Sequence, residues 1–154
     1  MTNKNLRDKK IVISAAAGGI GWKIAETCID RGARVFICDK DKTLLAKRIY
    51  SHPLFNKQLF ASHVDVSNEK EVINFFGQIK KTFKNFDILV NNVGIAGPTG
   101  NIENLDSKDW ERTIQINLNS HFYFIKQSSS HGRLCIVSCF VYCAFSFLFS
   151  SHNL

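Results

Sequence analysis

Charge is what the end of this chain lacks. All 13 acidic residues lie between Asp8 and Glu111, and 19 of the 20 basic ones lie at or before Lys126. The last 28 residues carry a single charge, Arg133, with seven Ser, three of the five Cys and four of the 13 Phe. A surface helix needs long polar side chains on its outward face, so this segment is not an ordinary one. Runs of five or six like charges are also missing. The net charge of +7 is scattered over positions such as Lys9, Lys23, Arg34, Lys57, Lys80 and Lys108, which excludes a nucleic-acid patch. The opening MTNKNLRDKK has no apolar run, so no secretory signal is expected there. That points to the cytoplasm, where the cysteines stay free thiols. No repeat of 20–50 residues shows. With 45% apolar and 21% charged residues in 154, the chain is globular and about one domain long.

What is present alternates. Residues 10–14 (KIVIS) form a β-branched apolar run that predicts a buried strand. Ile20, Ile24, Ala25 and Ile29 follow at near-helical spacing and stop at Arg31-Gly32. Further strands are expected over 34–38, 59–66 and 86–91, and a helix over 42–50. Asn68 with Glu71 three residues on resembles a capping box opening a helix to about Phe83. Asp106 with Asp109 opens a long helix to about Lys126. Trp110, Phe122 and Phe124 are read as core or interface packing, and Cys28 and Cys38 as small core residues. Strands alternating with helices at this spacing predict an α/β fold, a Rossmann-like doubly wound parallel sheet, here incomplete at about four to five strands.

Gly18, Gly19, Ile20 and Gly21 stand between the first strand and the first helix. Residues without side chains let phosphate oxygens approach the backbone, and a helix N-terminus supplies N–H donors and positive dipole. Asp39 closes the second strand. A carboxylate there accepts from a ribose diol and repels a 2′-phosphate, which favours NAD, with NADP second. The alternative is a plain tight turn.

These residues resemble the short-chain dehydrogenase/reductase family. Its opening T-G-x-x-x-G-x-G is matched by Ser14-Ala15-Ala16-Ala17-Gly18-Gly19-Ile20-Gly21, with Ser for Thr and Ala15 for the first glycine. Its Asp-Val after the third strand is matched by Asp65-Val66, and its N-N-A-G after the fourth by Asn91-Asn92-Val93-Gly94. Its active-site Asn, in the long helix, is matched by Asn117. The resemblance implies that Ser14, Gly18, Gly19, Ile20, Gly21, Asp39, Asp65, Val66, Asn91, Val93 and Gly94 bind the dinucleotide. It also implies hydride transfer between the cofactor and a small alcohol or carbonyl. Three alternatives stand beside it: Asp65 as a turn cap, Asn91 as a buried structural amide, and Asn117 as a core polar residue. In the family the long helix builds a subunit interface, so the resemblance implies homo-oligomerisation, or aggregation, through that helix.

The proton-handling group is the gap. The resemblance implies a Tyr with a Lys four residues later, and a Ser about 13 residues before the Tyr. Gly132-Arg133-Leu134-Cys135-Ile136-Val137-Ser138-Cys139 resembles the family's fifth strand, with Ser138 and Cys139 in the places of a Ser pair. No Lys follows Lys126, and Tyr142 has Ser146 four residues on. The catalytic candidates are therefore Asn117 and Ser138, with Tyr and Lys missing.

Residues 1–126 are expected to be the dinucleotide-binding domain and 127–154 an apolar Ser/Cys/Phe-rich tail. In 134–151, 14 of 18 residues are Phe, Ser, Cys, Tyr or Leu, whose codons can all begin with U. A reading frame lost after the long helix would give this bias. A divergent strand with a tail, or a membrane segment, are the other readings; the 16 residues 134–149 fall just short of the roughly 17–25 that span a bilayer, so a membrane role is not expected. Cys135, Cys139 and Cys143 lack a fourth ligand nearby, so no metal site is expected. The functional reading is an NAD(P)-dependent oxidoreductase represented by a truncated, catalytically impaired chain. The alternative is a non-catalytic dinucleotide-binding or interaction module.

Overall fold

The computed structural model describes residues 5–129 and 135–138. Strands and helices alternate along it: β1 Lys10–Ile13, α1 Gly19–Asp30, β2 Arg34–Asp39, α2 Lys42–Ser51, β3 Leu59–His63, α3 Glu69–Phe83, β4 Ile88–Asn91, α4 Ser107–Ile114, α5 Ser120–Ser128 and β5 Cys135–Ser138. The five strands pair in parallel in the order β3-β2-β1-β4-β5. Parallel neighbours cannot be joined by tight turns, so each connection crosses over a face of the sheet.

The apolar runs serve both faces, because the side-chain period of a strand is two. Val12, Phe36, Cys38 and Leu89 face a core completed by Val72, Phe75, Phe83 and Phe124 from α3 and α5. Ile11, Ile13, Val35, Ile37 and Val90 face Trp22, Ala25, Ile29 and Leu45 from α1 and α2. The doubly wound architecture follows. The first core is largely phenylalanine: Phe36 meets Phe75 and Phe83 edge-on at 5.3 and 5.8 Å, and Phe76 meets Phe124 at 5.5 Å. Such contacts contribute about 0.5–1.5 kcal/mol beyond burial.

Caps set the helix starts. Asp41 accepts from Leu44 N at 2.9 Å, and Asp106 from Lys108 N at 2.6 Å. Asn68 caps α3 by accepting from Lys70 N. Its partner departs from the expected capping box. Glu71 takes the Asn68 side-chain amide on one oxygen and reaches back to Asp65 N, 2.8 Å away, with the other. The cap thereby also fastens the turn after β3.

Three details differ from the sequence reading. The helix expected over 106–126 is one helical run from 107 to 128, but its middle turn, Gln115–Asn119, is π-helical. Phe124 is fully buried, whereas Trp110 and Phe122 are 46% and 58% exposed and are not core. Ile20 points outward, and Trp22 takes the buried place in the first turns of α1. β5 lies at the sheet edge with Ile136 and Val137 partly exposed.

Candidate dinucleotide site

The site begins where β1 ends. Ser14 is fully buried, and its Oγ accepts from Asn92 N at 3.0 Å and from Val93 N at 3.4 Å. The turn after β1 is thus tied to the turn after β4. The Asn92 side chain adds a second tie, donating to Ala15 O at 2.8 Å. Gly21 makes that tie possible: a Cβ there would lie 2.5 Å from Asn92 Nδ2 and 2.6 Å from Ala15 O. Ser14 therefore stands in the wall behind the loop. Ala15 adopts φ +51°, a conformation that an L-residue adopts at a cost.

Gly19 is in the left-handed region at φ +54°, and the space a Cβ would occupy is open. It starts α1, whose N-cap Gly18 has no side chain to bond the first turn, and that turn holds no acidic residue. The first N–H groups of a helix have no intrahelical acceptor. Here they face an open, uncapped lip, the arrangement that receives an anion.

Asp39, at the end of β2, closes the other side. Its Oδ2 accepts from Ala17 N at 2.9 Å, and its Oδ1 from Asp41 N at 3.1 Å. Each carboxylate oxygen has two lone-pair positions, so both keep capacity for a further donor. Beside it lies a cavity of about 250 Å³ at the carboxyl ends of β1 to β4, lined by Ala15, Asp39, Asp65, Val66, Val93 and Gly94 among others. Ligands of open α/β sheets bind at this end. Lys40 and Arg112 stand among its lining residues as the basic groups.

Asp65 does cap a turn, and it also lines the cavity. Its Oδ1 accepts from Ser67 N at 2.9 Å and from Ser67 Oγ at 2.6 Å. The Ser67 hydroxyl holds this carboxyl below the usual carboxylate range; burial opposes that, and the Ser67 amide and the charges of Lys40 and His63 assist it. Asn91 ends β4 fully buried, and among the described residues its side-chain amide has no hydrogen-bond partner. It lies beside β5, in register with Ser138.

Asn117 sits in the π-helical turn. It accepts from Ile95 N at 2.8 Å and donates to Ile95 O at 2.9 Å. Its amide therefore clamps the loop that follows β4 and carries Val93 and Gly94. A π turn inside an α-helix commonly marks a functional position. Four contributors escape a sequence reading. Gln115 donates to Ser67 O at 2.7 Å and so ties the π turn to the Asp65 loop. The buried His121 ring lies 3.0 Å from Val93 O. Asn92 and Arg48 bind the glycine loop through Ala15 and Ala17. Only Asn92 carried a signal, its place beside Asn91. Cys139 and Tyr142 lie outside the described residues.

Residues 9–134 match the family model described as short chain dehydrogenase. The chain belongs to this family. It is 38% identical over 125 residues to the CLA biosynthesis dehydrogenase/reductase of Lactiplantibacillus plantarum, covering 80% of this chain and 43% of that protein. A short-chain type dehydrogenase/reductase from Mycobacterium ulcerans superposes with a TM-score of 0.81 at 21% identity, over 87% of this chain and 51% of the other. A 3-ketoacyl-(acyl-carrier-protein) reductase from Brucella melitensis, solved with NADH, superposes with a TM-score of 0.78 at 25% identity, over 87% and 57%. The chain thus spans about half the length of these relatives. The family's members use nicotinamide cofactors, and in this chain the glycine loop, Asp39, Asp65 and the Asn91–Gly94 turn lie at one end of one sheet.

Proposed function

We propose that this chain binds NAD, in preference to NADP, along the carboxyl ends of β1 to β4. It would be the dinucleotide-binding half of an oxidoreductase acting on an alcohol or carbonyl. The observation that carries this is the pairing of Asp39 Oδ2 with Ala17 N, which pins a carboxylate to the lip of an open, uncapped glycine loop. The bound nicotinamide would supply or accept the hydride. Asp39 would accept from the ribose diol, Asp65 from the adenine amine, and Val66 and Val93 would flank the base. Gly18, Gly19, Ile20 and Gly21 would present backbone N–H groups to the pyrophosphate. Asn91 and Gly94 would border the nicotinamide side, with Ser14 and Asn117 holding the two loops in place.

The test is calorimetry with NADH and NADPH on the full chain. NADH should bind tighter, because Asp39 would face the 2′-phosphate. Asp39→Ala should narrow the ratio by roughly tenfold or more, since like charges at close range cost several kcal/mol and about 1.4 kcal/mol is tenfold. Tighter NADPH binding by the unmodified chain would overturn the preference.

A second expectation concerns turnover. A carbonyl being reduced needs a proton donor, worth roughly 10²–10⁴ in rate. The residues four beyond Tyr50, Tyr123 and Tyr142 are Leu54, Gln127 and Ser146, so no Tyr-x-x-x-Lys is present in the 154 residues. Asn117 and Ser138 would not replace it. The chain alone should therefore show no change in NADH absorbance with simple ketones. A rate abolished by Asn117→Ala would show otherwise. Residues 1–126 would carry the dinucleotide contacts, in the cytoplasm, and of 127–154 the end of α5 and β5 complete the same sheet and its cover. The partly bare face of Leu118, Phe122 and Ile125 would carry association of copies.

A further inference from the structure

Arg48 lies on α2, 31 residues along the chain from the glycine loop, yet it reaches back to it. Its Nε donates to Ala17 O at 2.9 Å. Its guanidinium carbon lies 4.5 Å from the ring centroid of Trp22, which in turn meets the His52 ring edge-on at 6.0 Å. Ala17 is therefore gripped from two directions: β2 takes its N–H through Asp39, and α2 takes its carbonyl through Arg48. The peptide held by Arg48 is the one that leads into Gly18, the N-cap of α1.

Arg48 also has no ion-pair partner among the described residues. Among the described residues the ion pairs are Lys9–Asp87, Lys23–Glu26 and Lys126–Glu69, and no carboxylate comes within 4.0 Å of this guanidinium. A half-buried arginine stacked on a buried indole is fixed in place, and its charge is screened less than one in open solvent. Unpaired among the described residues, it holds the carbonyl of the residue that precedes the uncapped start of α1.

We propose that Arg48 is a positioning residue for the dinucleotide. It sets the Ala17–Gly18 peptide and adds an unpaired positive charge behind the pyrophosphate. This rests on the reading above that residues 18–21 receive that pyrophosphate. A residue that only braced the fold would alter stability and leave the affinity of the folded chain unchanged. Arg48 instead acts on affinity, partly through geometry and partly through charge.

The test is titration of NADH, followed by its fluorescence, into the full chain at about 10 °C, with circular dichroism reporting the folded fraction. Arg48→Gln should weaken binding about tenfold near 50 mM salt, the size of a charge-assisted hydrogen bond. Arg48→Lys keeps the charge and the stem over Trp22, and should lose about threefold. The Gln deficit should shrink as salt rises to about 500 mM. Arg48→Gln binding within twofold of the unmodified chain would overturn the proposal while leaving the reading of the site intact. So would an equal, salt-insensitive loss in both variants. Absence of NADH binding by the unmodified chain would overturn that reading and this proposal together. Should Arg48→Gln not fold, Arg48→Lys decides alone: a threefold loss supports the proposal and an unchanged affinity overturns it.

Discussion

Ala15 and Gly21 show how narrow the tolerance of the loop is at single positions. The two residues share the tie from Asn92, one through its carbonyl and the other through having no side chain. Ala15 carries a methyl group at φ +51°, where a glycine would sit without strain. The cost of such a conformation is of order 1 kcal/mol or more. Ala15→Gly should raise the unfolding free energy by about 0.5–1 kcal/mol, after the larger entropy of the unfolded chain is counted. Urea midpoints at constant slope would measure it. The possible cost was readable in the sequence, because Ala15 stands where the family places glycine. Arg48 was not readable: 31 residues of separation and an ordinary helical context hide its contact with Ala17.

At the scale of elements, the helical run from 107 to 128 does two jobs. Its inner side buries Ile116 and Phe124 and clamps the β4 loop through Asn117. Its outer side leaves Leu118 47%, Phe122 58% and Ile125 38% exposed. These three residues, spaced along one helix face, are the surface through which the proposed association would run. The chain should therefore self-associate, and Leu118→Lys with Phe122→Glu should shift it toward the monomer in sedimentation velocity. Both positions are open to solvent, so the double variant should cost less than about 1 kcal/mol in stability. The helix was legible from its cap at Asp106 and its apolar spacing. The π turn was not, because Ile114, Leu118 and Phe122 recur at four-residue steps that an α-helix also gives. Likewise, the Asn68 and Glu71 pair announced the start of α3, while the carboxylate's reach to Asp65 N depends on how the β3 turn folds over it.

For the whole molecule, two carboxyls set an acid limit. Asp65 is held low first by the Ser67 hydroxyl. At Asp87 burial works upward, but the Lys10 amide at 2.9 Å and the neighbouring Lys9 and Lys10 charges outweigh it, so its value is also lowered. Both titrate lower in the folded chain than unfolded, where a carboxyl titrates near pH 4. Their contribution is complete above that pH and is lost as pH falls through the folded values. Urea midpoints should be level above about pH 5 and decline below about pH 4, and Asp87→Asn should flatten part of the decline. A parallel sheet was legible from apolar runs alternating with helices, whereas the order β3-β2-β1-β4-β5 was legible only through the family resemblance, because alternation alone fits more than one order. The same order has a kinetic consequence. β1 lies between β2 and β4, and its Lys10 meets Asp87 across 77 residues of chain. Closing so long a loop carries an entropic penalty that local pairing avoids, and non-local strand pairing is slow. As the chain leaves the ribosome, β1 and β2 can associate while β4 is still unmade. The strand synthesised first is therefore among the last to gain its second neighbour, and the cleft between the two turns it anchors exists only after Asn91 has emerged.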